Sequence, residues 1–146
     1  MLEVSFESQV HWYTDRNLLR ASSNFHGKPR FDSVMVDTVD GPAFAQLVFL
    51  FTLKVSVNIG TVQLGLVRYY QPVPRESCPR YDTPVGFKRF KLCSAAASSI
   101  ISLESVVHGV YMAPIDNTDG HYFLNDLIDG DIFIRMKRYS AKVHDR

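Results

Sequence analysis

Cysteine is scarce in this chain. Cys78 and Cys93 stand fifteen positions apart with no CxxC pair. That usage supports neither a disulfide framework nor a zinc knuckle, and reduced thiols in an intracellular protein are the simpler reading. No apolar run approaches the roughly 20 residues that span a bilayer. The opening MLEVSFESQVHW has no basic segment followed by an apolar one, so no secretory leader and no membrane partner are expected. An excess of one charge is also missing. Sixteen Lys and Arg face fifteen Asp and Glu, a formal +1, which excludes nucleic-acid binding by net charge alone and leaves a local basic face open.

The chemistry-bearing motifs are absent as well. There is no GxxxxGK[ST], no GxGxxG, no GxSxG elbow, and no HxxxH or HExxH spacing among His11, His26, His108, His121 and His144. His108, in VVHGV, reads as a hydrogen-bonded interior or edge residue of an apolar strand. Cys78 sits in RESCPRYD among basic residues, a setting that activates thiols, but a loop cysteine beside proline reads as a surface thiol. No cofactor and no metal is implied, and a non-enzymatic chain is expected.

What the sequence does contain is β signal. It is 46% hydrophobic and 12% aromatic, enough for a sizeable core in one domain. FDSVMVD alternates apolar and polar residues, and residues 44–57 form a long apolar run whose β-branched and aromatic content predicts a strand covered on both faces. A turn at Asn58 to Gly60 leads into a strand over 61–70, with Gly65 suggesting a bulge or barrel corner. Four prolines mark residues 71–86 as a loop, FKRFKLC as a short strand, and residues 95–97 as a helical turn. The first thirty residues look least regular. These readings predict an all-β fold, an antiparallel small barrel or curled sheet of six to eight strands with little helix. Residues 1–15 and 139–146 are expected to fray.

Two features remain. In YFLNDLIDGDIFIRMKR, Asp126, Asp129 and Asp131 cluster between apolar runs. The positions lack the ligand pattern of a calcium-binding loop, and Asp129 with Gly130 predicts a two-residue hairpin turn. Basic and aromatic residues also interleave. Arg68, Tyr69, Tyr70, Arg75 and Tyr81, around the proline-rich loop, form the candidate partner-binding surface. Lys28, Arg30, Lys88, Arg89 and Lys91 form the alternative, a face that would stack bases and pair with phosphates of a nucleic acid. The apolar 44–57 block could also supply an exposed sheet edge for self-association into a homo-oligomer.

The segments LLRASSNFHGKPRFDSVMVD, FAQLVFLFTL, LGLVRYY, IISLESVVHGVYMAP and YFLNDLIDGDIFIRM, in that order, resemble a C-terminal domain of transposase-like proteins of mushroom-forming fungi. The resemblance covers about residues 16–137. The strand order is also loosely similar to the bromo-adjacent homology fold. These resemblances imply a transposon-derived interaction module with protein or chromatin partners and a nuclear setting. A chain of this length cannot also hold a nuclease core, and three aspartates within six residues are not its triad.

Overall fold

The computed structural model describes residues 1–74, 88–115 and 120–144, of which 139–144 are described as helix backbone alone. Among these residues the fold is nearly all antiparallel β, with twelve strands, a single-turn 3-10 helix at Ala95–Ala97, another at Leu103–Ser105, and one α-helix. Twelve exceeds the six to eight expected because the N-terminal thirty residues are regular. Strands β1 (Leu2–Glu7) and β2 (Thr14–Leu19) form one hairpin, and β3 (Ala21–Phe25) and β4 (Lys28–Phe31) form another. The expected fraying of residues 1–15 is therefore corrected. Val4 is buried, and β1 is paired along its whole length. The β3–β4 turn is His26 and Gly27, both at positive φ (52° and 82°), the backbone a two-residue hairpin needs.

Strands β5 (Ser33–Thr38), β6 (Gly41–Ser56), β7 (Gly60–Pro72), β8 (Lys88–Leu92), β9 (Ser99–Ser102), β10 (Val106–Val110), β11 (Met112–Pro114) and β12 (His121–Leu124) build the main sheet. Its order is β10-β5-β6-β7-β8-β12-β11, with β9 also paired to β7. The two ends of that path, β10 and β11, are separated in the chain by Tyr111 alone, so the sheet must curl to bring them together. Among the described residues no ladder joins β10 to β11, and no closed barrel is found. Strand β7 makes the bend, pairing through Leu64–Val67 with β9 and through Tyr70–Pro72 with β8.

The curl creates two cores, and β5 serves both. Its alternating side chains send Met35 into a cluster with Phe44, Tyr70, Phe90, Met112 and Leu124, and send Val34 and Val36 into one with Val4, Leu19, Leu47 and Val67. The second cluster fills the space under the β1–β2 hairpin. The first is closed by helix α1 (Gly130–His144), which buries Ile132 and Met136 at i, i+4 spacing.

That helix corrects the expected hairpin at Asp129 and Gly130. The Asp129 carboxylate accepts the backbone N–H of Asp131 at 2.9 Å, and its carbonyl accepts that of Phe133 at 3.0 Å. This is N-cap chemistry, with Asp131 in the first turn complementing the helix dipole. Gly65 is corrected too. Its φ is ordinary, the irregularity lies in β6 between Leu47 and Phe49, opposite Val67 and Leu66, and a Cβ at Gly65 would sit 2.8 Å from Leu103 Cδ2. Close packing, not a bulge, asks for glycine at this position.

Candidate functional site

The aspartate cluster now has a structural setting. Asp131 is 4% exposed. Its Oδ1 accepts the Gln9 backbone N–H at 2.5 Å, and its Oδ2 accepts Arg135 Nε at 2.5 Å. Arg135 continues to the Glu7 carbonyl at 2.9 Å and lies over the Phe6 ring. These bonds tie the first turn of α1 to the end of β1. His108, 1% exposed as expected for an interior residue, completes the group. A register shift at Val107 turns its ring inward against Phe6 at 4.1 Å, with Nδ1 on the Gly109 carbonyl. Its Nε2 has no hydrogen-bond partner among the described residues. The nearest carboxylate oxygens, on Asp131 at 3.5 Å and Asp129 at 3.7 Å, are too distant for one. No group of three or more metal-binding side chains forms among the described residues. The cluster fastens a helix.

A cleft of about 300 Å³ opens beside this group, with Asp37, Val107, Arg135 and Arg138 on its walls. Its cations are engaged, Arg135 with Asp131 and Arg138 with the Gln9 side-chain carbonyl.

The proposed partner surface at Arg68, Tyr69 and Tyr70 does not hold together. Tyr70 is 5% exposed and shares a 2.8 Å hydrogen bond with Ser33 Oγ. Burial pushes its phenol up to about 12. Tyr69, one position earlier, faces the other way and packs on the second core. Arg68 spends its guanidinium on the Cys93 carbonyl, at 2.9 and 2.6 Å. Alternation along a doubly covered strand thus places adjacent residues in opposite cores. Arg75 and Tyr81, with most of the proline-rich loop, lie outside the described residues.

The basic set divides in the same way. Arg30 is paired with Asp32 at 3.0 Å and lies over Phe25. Arg89 is buried and donates to His121 Nδ1 at 3.1 Å, an arrangement that corrects its placement on an open face. Desolvation, with Arg89 and Lys91 adding to it, holds the His121 imidazole below its usual range. Lys28, Lys88 and Lys91 are exposed. Lys28 and Arg30 belong to the β3–β4 hairpin, and the other three to β8 in the main sheet.

The feature that reading from sequence missed is the outer half of the β6–β7 hairpin. Residues 44–57 were expected to be covered on both faces, and residues 44–47 are. Beyond them the strand runs clear of β5, which pairs only over Gly41–Gln46. The register sets Phe49 opposite Leu66, Phe51 opposite Leu64 and Leu53 opposite Val62. Paired side chains share a face, and the stacked rings of Phe49 and Phe51, 5.9 Å apart, confirm the alternation. Ile100 of β9, opposite Leu66, joins them. Phe49, Leu53, Val55 and Ile100 are 58%, 50%, 49% and 62% exposed, whereas the same strands' other face carries Thr52, Lys54, Thr61 and Gln63. One face of this arm is apolar and bare. A second exposed aromatic point, Trp12 at φ 61°, caps the β1–β2 hairpin.

No protein-family model, curated protein or solved structure matches this chain. No described helix is long and apolar enough to cross a membrane.

Proposed function

We propose that this protein is a non-enzymatic interaction module whose binding surface is the apolar face of the β6–β7 arm. The observation that carries this reading is the bare stripe Phe49, Leu53 and Val55 with Ile100 beside it. Contiguous apolar patches of this extent on a monomer mark interaction surfaces. Between Asp40 and Arg68 the only charged residue is Lys54, so nothing in the arm provides the chemistry of a catalytic site or the cations of a phosphate track. The partner in this reading is a protein, and the loose similarity of the strand order to the bromo-adjacent homology fold is what favours a chromatin context.

The nucleic-acid alternative has less support. It needs Arg30 and Arg89, which already serve Asp32 and His121, and its remaining lysines are divided between two separate sheets.

The test is co-purification from the cells that express the chain, comparing wild type with Leu53→Glu/Val55→Glu. Proteins retained by the wild type and lost from the variant, at unchanged melting temperature, are the expected outcome. Equal retention by both would remove the arm as the binding surface.

A further inference from the structure

From the makeup of that face we infer that its occupant is a second copy of this chain, packed arm on arm about a two-fold axis. The inference rests on the arm being the binding surface and adds who binds there. Three observations carry it. The first is composition. Phe49, Phe51, Leu53 and Val55 on β6 and Val62, Leu64 and Leu66 on β7 present no charge and no side-chain hydrogen-bonding group. A partner recognised for its own chemistry would be met by such groups, whereas an uncharged sheet face meets its own copy without like-charge cost.

The second is shape. A two-stranded sheet face packs on its equal at a separation of about 10 Å, and a two-fold contact requires only one patch that is complementary to itself. The polar edge facing the other way, with Lys54, stays in water.

The third is area. From the exposures of Phe49, Leu53, Val55 and Ile100, with the half-buried Phe51, Val62, Leu64 and Leu66, the face offers on the order of 600 Å² per copy. The pair would bury on the order of 1,200 Å², the lower end of stable interfaces. An interface at that lower end suits a reversible contact, whose strength is set by its packing and not by its area.

Sedimentation velocity of the whole chain over about 1 to 200 µM, a range bracketing a micromolar constant, tests this. The expected result is a monomer–dimer equilibrium in the wild type and in Lys54→Glu, whose charge lies on the opposite face. Leu53→Glu should remain monomeric throughout while keeping the wild-type circular dichroism. A wild type that stays monomeric at the highest concentration overturns the inference, as does Lys54→Glu disrupting association as much as Leu53→Glu. If the wild type is monomeric yet Leu53→Glu/Val55→Glu still loses co-purifying proteins, the copy fails and the arm stands. If neither effect appears, both fail.

Discussion

Replacing Asp131 by asparagine removes one negative charge from a buried carboxylate bonded to the Gln9 N–H and to Arg135, and leaves its volume intact. The amide oxygen can still accept from the Gln9 N–H. It can no longer give Arg135 a charged partner, and the first turn of α1 loses the anion that complements its dipole. A hydrogen bond to a charged group contributes about 1.5–3 kcal/mol, and an anion at a helix N-terminus about 0.3–1 kcal/mol. Asp131→Asn should therefore cost about 2–4 kcal/mol, a large fraction of a typical 5–15 kcal/mol. At about 3 °C per kcal/mol for a chain of this size, the melting temperature should fall on the order of 10 °C. Asp131→Ala, which also orphans the Gln9 N–H, should cost about 3–5 kcal/mol, and loss of the cap in Asp129→Ala about 1 kcal/mol. Urea denaturation followed by circular dichroism reads all three. Gly130 adds an independent arm. In a two-residue hairpin turn it would require positive φ, so alanine would be harmful. At the first position of a helix alanine gains about 0.5–1 kcal/mol, offset in part by a Cβ placed 3.2 Å from the exposed Val10 side chain. Gly130→Ala should thus be near neutral. Asp131→Asn within 0.5 kcal/mol of wild type, a margin usual for unremarkable surface changes, together with a strongly destabilised Gly130→Ala, would refute this account of the segment.

Other outcomes follow from the same geometry. Because burial raises the Tyr70 phenol to about 12 from 10, the unfolded chain ionises first. Stability is full below pH 10 and declines between pH 10 and 12, by at most about 2–3 kcal/mol. Tyr70→Phe should flatten that part of the pH profile in denaturant titrations. Gly65→Ala should cost about 1–2 kcal/mol through overpacking on Leu103, and Leu103→Ala in the same chain should remove most of that added cost, read as the coupling in a double-mutant cycle. Leu53→Glu and Val55→Glu, at half-exposed positions with no described polar contact, should each change stability by less than about 0.5 kcal/mol in the same assay.

The sequence discloses strands well where local signals agree. The 44–57 run, the turn at Asn58 to Gly60, the β7 and β8 strands and the residue 95–97 turn were all legible, whereas the interior place of His108 was one of two settings its strand allowed. The helix was not, because Asp-Gly between apolar runs serves a hairpin turn and a helix N-terminus alike. The spacing of Ile132 and Met136, with Asp131 early and Arg135, Lys137 and Arg138 late, was the signal for the helix. Tyr69 and Tyr70 looked like one aromatic surface because a strand's residues alternate between faces, and here both faces are covered. The arm was hidden for a related reason. An apolar run reads the same whether its cover is the chain's own core, as for Phe44 and Leu47, or something outside it, as for Leu53 and Val55. Only the register, with β5 ending its pairing at Gln46, separates the two.

The most direct measurement of the central claim is photo-cross-linking in the cells that express the chain, from a benzophenone side chain placed at Leu53, at Val55, and at the exposed Ser23 on the polar β3–β4 hairpin, which packs beside β6. Discrete protein adducts from Leu53 and Val55, and none from Ser23, are the expected result. Adducts from Ser23 alone, or none from any of the three, would contradict it.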